Sequence, residues 1–393
     1  MAASRNGLTP TGPAGPLENL PMIELRGITS DHPRGLAPLL ASVEPYAAQR
    51  DVRVTWDRRS LKDFGDAPLE PLAAKYDLLM VDHPQIGRAA QSGCLLPLDE
   101  VIEAESLVTL ALQSAGPSHA SYEYAGHQWA LAVDAGMQSS AYRPDLLQLP
   151  LPESWADVIV QGERLLARGL WAAIPLSPRD AVCSFLTLCA SLGDPPGQAD
   201  RLVDPDIGRR ALEWLRQMRR VSHPACTDWD PVHALVHMSN FDDLAYIPLT
   251  FCYTNYSRPR FAPKRVRFAS IPGVRGATLG GTGLAVSAEC RHAEQACDYA
   301  LWLCSAAVQR TLYVEHGGQP GNGEAWTDDQ ANELTGGFFH DTLESLRQAY
   351  VRPRYPGWPQ FQRQAGELIH AMLVESGDAE ACLARLSELY VTS

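Results

Sequence analysis

The sequence lacks any long hydrophobic run. Its longest apolar stretches, 107–112 and 185–192, fall far short of the ~20 residues a membrane-spanning helix needs, so no membrane insertion is expected. Positive charge is also scarce. Against 46 Asp and Glu there are 33 Lys and Arg, a formal net charge of −13. That balance argues against a nucleic-acid partner, which requires a basic footprint to neutralise phosphates. No basic run or basic amphipathic helix supplies an electrostatic membrane anchor. No CxxC pair occurs, and the nine cysteines are an odd number, which agrees with a reducing compartment. Cys290, Cys297 and Cys304 recur every seventh residue, which puts the last two on one face of a predicted helix. Like Cys183 and Cys189 in AVCSFLTLCASLG, they read as small apolar core residues and not as metal ligands, and no cofactor is expected. The first 21 residues hold Pro10, Pro13, Pro16 and Pro21 but no apolar signal core; they read as a disordered lead. The chain as written is therefore expected in the cytoplasm, or in the periplasm if an export signal is missing from it.

What is present describes an ordinary soluble globular chain, 45% hydrophobic and 20% charged. At 393 residues it is too long for one compact core, so two domains are expected. Strand and helix signals alternate after the lead. ELRGITS reads as a strand, PLLASVEPYAAQR as an amphipathic helix, DVRVTWD as an alternating strand, LEPLAAK as a short helix and YDLLMVD as a buried strand. This β-α-β-α-β order predicts a parallel sheet with right-handed crossovers. Further on, SWADVIVQGERLLARG reads as a helix capped by Ser154 with Asp157 three residues later. Two of the early strands end in the same tripeptide, Asp31-His32-Pro33 and Asp82-His83-Pro84. Proline stops each strand by removing a donor. Ligands of open α/β folds bind beyond the carboxyl ends of strands, so this doubled motif marks a candidate site.

The order of several phrases resembles the extracellular solute-binding proteins of family 1, the maltose-binding-protein-like, type II periplasmic binding fold. YDLLMVDHPQIGRAAQSGCLLPLDEVI is similar to that family's strand end followed by a G-x-L-x-P-L-D turn. HQWALAVDAGMQSSAYRPDLL is similar to its strand crossing between lobes, and PESWADVI to its Pro-x-(Thr/Ser)-Trp helix start. GGTGLAVSAECRHAEQACDYALWLCSAAVQ is similar to its returning strand and helix, with HGGQPG behind. The resemblance implies an α/β chain of two lobes closing on a small-molecule ligand by hinge motion. Lobe one is then expected over 22–133 and 269–312, and lobe two over 134–268 and 313–393. It further implies a monomer that serves an ABC permease if exported.

The residues expected at the ligand divide among several segments. Asp31, His32 and Arg34 stand at the first strand end, and Asp82 and His83 at the later one. Carboxylates and imidazoles exchange hydrogen bonds with hydroxyls, and Arg34 can clamp an acid; alternatively, each Asp caps the turn that follows it. Asp134 and Gln138 stand on the crossing segment, which the resemblance places along the cleft wall; a structural carboxylate at the hinge is the alternative. Tyr253, Asn255, Tyr256 and Arg258 in FCYTNYSRP form the densest polar-aromatic cluster, of which alternation allows only part to face a ligand. Gly280, Gly281 and Gly283 would let backbone amides approach a ligand closely, and the resemblance makes them a ligand-side turn before a strand, with Gly317, Gly318 and Gln319 as a second such turn. Tyrosines favour a sugar-like molecule, whereas Arg34 and Arg258 favour an organic acid. An enzyme built on the same fold is the alternative, with His32, His83 and Asp82 as acid and base. Adjacent Asp and His on a strand face opposite ways, however, and no G-x-S-x-G elbow, HExxH or metal-spaced cluster supports that role. His83→Ala and Tyr253→Ala are each expected to weaken binding without unfolding the protein.

Overall fold

The computed structural model describes residues 22–197 and 200–393; the expected disordered lead over 1–21 lies outside them. The strands run in chain order as β1 Ile23–Ser30, β2 Val52–Arg59, β3 Leu78–Val81, β4 Glu123–Tyr124, β5 His127–Gln128, β6 Leu131–Tyr142, β7 Trp171–Ala172, β8 Leu244–Phe251, β9 Arg267–Ala269 and β10 Leu279–Val286. β4 and β5 form a small separate hairpin. The others follow the order β2-β1-β3-β10-β6-β8-β7, with β9 also on β6.

The expected parallel unit is present: β1 pairs in parallel with both β2 and β3. β10 then runs antiparallel between β3 and β6. Burial explains the sequence pattern, because this half-sheet is covered on both faces and its strands read as near-continuous apolar runs. Leu78 and Met80 of β3 enter one cluster with Leu39, Tyr46, Tyr299 and Leu303, while Leu79 and Val81 enter the opposite cluster with Ile86 and Ala89. Cys297 and Cys304 lie buried in the first of these, on the helix Ala293–Cys304, as their spacing suggests.

β6 joins the two lobes. Its residues up to Met137 pair with β10, and from Gln138 onward they pair with β8 and β9. The second lobe surrounds a larger core in which the helices Pro178–Ser191, Pro205–Arg220 and Trp358–Val374 pack on the β8 side of the sheet. Phe268, Ile271, Ala277 and Leu279 belong to this core. The helix Trp155–Leu166 starts with the expected capping box, Ser154 and Asp157 satisfying each other's backbone N–H groups. No helix among the described residues is long and apolar enough to cross a membrane.

Candidate functional site

Between the lobes lies a cleft lined from the first lobe by Ser30, His32, Arg34, Phe64 and Asp82, and from the second by Arg179, Asp180, Asp230, Tyr253 and Arg352. Asp134, Gly136 and Gly280–Thr282 of the crossing strands form its floor. The floor is organised by one ion pair. Arg34, in the first turn of the helix Pro33–Ala47, donates from Nε to Asp134 Oδ2 at 2.9 Å, from Nη2 to Asp134 Oδ1, and from Nη1 to the Cys252 carbonyl at 2.6 Å. Its guanidinium also lies over the Tyr253 ring, 5.1 Å from the centroid. Burial opposes the charge on Arg34, and the Asp134 carboxylate more than offsets it, raising the Arg34 pKa. Position 136 must be small, since a Cβ there would meet Arg34 Nη2 at 2.7 Å.

His32 caps the same helix. Its Nδ1 accepts from the Arg34 N–H at 3.1 Å, which leaves the ring proton on Nε2. Burial, and next the Arg34 charge, lower its pKa to about 4, so the ring is a neutral donor at pH 7. It packs 4.7 Å from the Tyr253 ring. At the second motif, Asp82 accepts from Arg352 Nη2 with both oxygens, at 3.0 and 3.1 Å. Arg352 is only 4% exposed and also donates to Gln362 and to the Leu279 carbonyl. Thr278 bridges Tyr350 just before it, and so the tail reaches back across the cleft to a first-lobe strand end.

The wall of the second lobe comes from helix N-termini. Asp180 sits in the first turn of Pro178–Ser191 and is 3% exposed. Its Oδ2 accepts from Ser177 Oγ at 2.6 Å, and burial pushes its pKa up to about 7. Arg179 reaches the other way and donates to the carbonyls of Leu61 and Lys62 in the first lobe. Asp230 caps the helix Pro231–Asn240 by accepting from the His233 N–H at 2.8 Å.

Of the residues expected at the ligand, the cleft brings together His32, Arg34, Asp82, Asp134, Tyr253 and Gly281. The others lie elsewhere. Asp31 is exposed and pairs with Arg58. His83 is fully buried edge-on to Tyr122, with no hydrogen bond on either ring nitrogen among the described residues. The doubled motif therefore supplies one cleft residue per copy, and no histidine pair for acid-base work. Gln138 is buried among Ser184 and Thr187. Asn255 donates to the Gly317 carbonyl, and Tyr256 packs on Phe261. Arg258 holds the carbonyls of Val314 and Glu315. Gln319, fully buried, accepts from the Thr254 N–H and donates to the Ala135 carbonyl. Asn255, Arg258 and Gln319 are thus spent on backbone groups, Gln138 on two buried hydroxyls and Tyr256 on an aromatic contact. Gly280–Gly283 is not a turn before a strand but the opening half of β10, with Gly281 at φ 112° and a register shift at Thr282/Gly283.

Arg179, Asp180, Asp230 and Arg352 were not anticipated. The Pro-preceded helix starts SPRD and DPVH, and the proline-broken RPRYPG, were the only local signals available. Apart from the cleft, His223, His237 and Asp243 form a cluster whose ligand atoms lie within 4.8 Å of one another. His223 Nδ1 accepts from the Ala225 N–H, so its Nε2 carries the proton and faces the Asp243 carboxylate. That tautomer suits a hydrogen-bonded cluster and not a metal centre, which needs the Nε2 lone pair.

The family model described as bacterial extracellular solute-binding protein matches residues 41–335. No curated protein matches the chain in sequence. Among solved structures, the chain is similar to the maltose-bound MalE3 of T. maritima, at TM-score 0.81 and 18% identity over 94% of this chain and 100% of that one. A Thermotoga lettingae ABC transporter solute-binding protein bound with α-D-tagatose gives TM-score 0.79 and 16% identity, covering 94% and 99% of the two chains. One from Agrobacterium radiobacter in complex with ribitol gives 0.74 and 16%, covering 95% and 100%.

Proposed function

The chain belongs to the bacterial extracellular solute-binding proteins, and from that footing we propose that its interlobe cleft captures a polyhydroxylated, sugar- or polyol-like molecule and delivers it unchanged to an ABC permease. One observation carries the choice of ligand class. The two arginines that suggested an acid are already committed, Arg34 to Asp134 and Cys252 and Arg258 to carbonyls outside the cleft. So are the two further arginines that border the cleft, Arg352 to Asp82 and Arg179 to the Leu61 and Lys62 carbonyls. Beside these committed arginines, what the cleft offers is four carboxylates with the neutral His32 ring, the Thr282 hydroxyl and the Tyr253 face. Carboxylates accept from hydroxyl pairs and an aromatic ring stacks on a sugar's apolar face, whereas an anion would meet repulsion. The sugars and polyols held by the T. lettingae and A. radiobacter proteins agree with this reading.

Closure is proposed about β6 and β10, with the return to the first lobe inside β10 near Gly281 instead of at residue 269. Phe268, Ile271 and Ala277 pack with the second core, and the Gly281 conformation with its neighbouring bulge gives a place to bend. The protein acts outside the cytoplasm as a monomer in this scheme. Calorimetric titration with sugars, polyols and organic acids tests the ligand class. Saturable binding of a sugar or polyol, recovered unchanged, is expected, and Tyr253→Ala weakens it by about tenfold. Binding of organic acids alone would overturn the proposal.

A further inference from the structure

The four cleft carboxylates are not equivalent. Asp134 and Asp82 each face a guanidinium, Arg34 and Arg352. Asp180 and Asp230, both on the second lobe, have none within ion-pair distance among the described residues. Asp230 is partly exposed and near the His233 ring, at 3.0 Å. Asp180 is different: its side chain is buried and borders the cleft, and among the described residues its Oδ2 takes only the Ser177 hydroxyl while its Oδ1 carries no hydrogen bond. A buried carboxylate with no cation in contact is costly in this setting, and the Arg179 charge beside Asp180 offsets only part of that cost, so a positive partner in the cleft would stabilise it. The first turn of a helix eases this only in part. The upward push on the Asp180 pKa is the same imbalance seen from the proton's side.

We infer that the second-lobe wall of the cleft is built to receive an ammonium group, with Asp180 as its direct acceptor and Asp230 adding to the negative field, so that the preferred ligand is an amino-substituted sugar or polyol. This rests on the sugar or polyol reading of the cleft and specifies one substituent. The shared chemistry is a protonated amine flanked by hydroxyls, and a ring or an open chain can carry it. Among the described residues no guanidinium pairs directly with Asp180: those of Arg34 and Arg352 face away into their own carboxylates, and Arg179 reaches to the Leu61 and Lys62 carbonyls, so its charge acts on Asp180 without a contact.

The test titrates the full chain at pH 7 with glucose, galactose, mannose and sorbitol, each beside its amino-deoxy counterpart, glucosamine, galactosamine, mannosamine and 1-amino-1-deoxysorbitol. At least one amino compound is expected to bind about tenfold or more tighter than its parent. The ring and open-chain pairs show which scaffold carries the amine. Asp180→Asn should bring that ratio to within about twofold, and circular dichroism verifies that the variant is folded. If that variant does not fold, Asp230→Asn should still lower the ratio several-fold. Parents that bind as well as their amines, or a ratio that survives Asp180→Asn, would overturn the inference while leaving the sugar reading intact. Binding of none of the eight would overturn both.

Discussion

After β1, Asp31-His32-Pro33 runs into a helix of 15 residues, whereas after β3, Asp82-His83-Pro84 enters a single turn of 3 residues. The tripeptides are identical, yet His32 faces the cleft in the first and Asp82 in the second. The difference is where helical geometry begins. In the first copy Pro33 takes the opening helical position, which its fixed φ suits, and His32 is the extended residue before it, at φ −142° and ψ 140°. In the second, His83 is already helical and Asp82 is the extended one, at φ −87° and ψ 137°. The residue at the cap turns to the cleft, and its neighbour goes to solvent, as Asp31 does, or to the interior, as His83 does. A one-residue shift in the helix start thus decides which chemistry a strand end presents.

The largest way to break this symmetry is Asp82→Ala. It leaves Arg352, almost wholly buried, without its carboxylate, and removing one partner of a buried pair costs about 3 kcal/mol. Denaturant unfolding should show that loss, together with weaker ligand binding, because the tail carrying Arg352 closes over the same cleft. Little change in stability would mean that Gln362 and the Leu279 carbonyl suffice to hold Arg352.

His83 sharpens the comparison through pH. Burial, with Arg352 and Arg354 adding to it, lowers its pKa well below the ordinary 6.5. The unfolded chain therefore takes up a proton at this residue below about 6.5, and the folded chain does not. The stability tied to a neutral His83 is full above that pH and is lost as pH falls, by about 1.4 kcal/mol per unit. His83→Leu should flatten the fall in stability between pH 7 and pH 5 by that slope, and ligand affinity at pH 7 should stay within about twofold. This reverses the expectation from sequence that His83 touches the ligand. An unaltered slope would show that the imidazole is wet.

Much of the fold was legible for a physical reason. The alternation of Leu78 and Met80 with Leu79 and Val81 follows from a sheet buried on both faces, and the prolines after two strands fixed their ends. The site was legible only in part. Gln138, Asn255 and Gln319 are chemically apt for a sugar, but the same donors and acceptors satisfy buried groups of the fold, hydroxyls for Gln138 and backbone for the other two, and nothing local distinguishes the two uses. Asp180 and Arg352 were missed for the opposite reason. Arg352 meets Asp82 across 270 residues of sequence, and Asp180 has meaning only once the helix it begins is docked at the cleft.

The smaller effects complete the comparison. His32→Ala removes a helix cap and a cleft donor together, so it should cost about 1 kcal/mol of stability and about tenfold in ligand affinity. Because His32 is neutral at pH 7, that affinity loss should be insensitive to pH between 6 and 8. Asp31→Ala, one residue earlier, is expected to do almost nothing. Its partner Arg58 is well exposed, as is Asp31 itself, and such pairs contribute about 0.5 kcal/mol or less. The contrast between these neighbours isolates the cap position: both change charge or hydrogen bonding at one strand end, but only the residue turned inward by the helix start reaches the ligand. Equal losses of affinity in the two variants, measured by titration with the same sugar, would mean that electrostatics at the cleft mouth, and not contact with the cap residue, governs binding there.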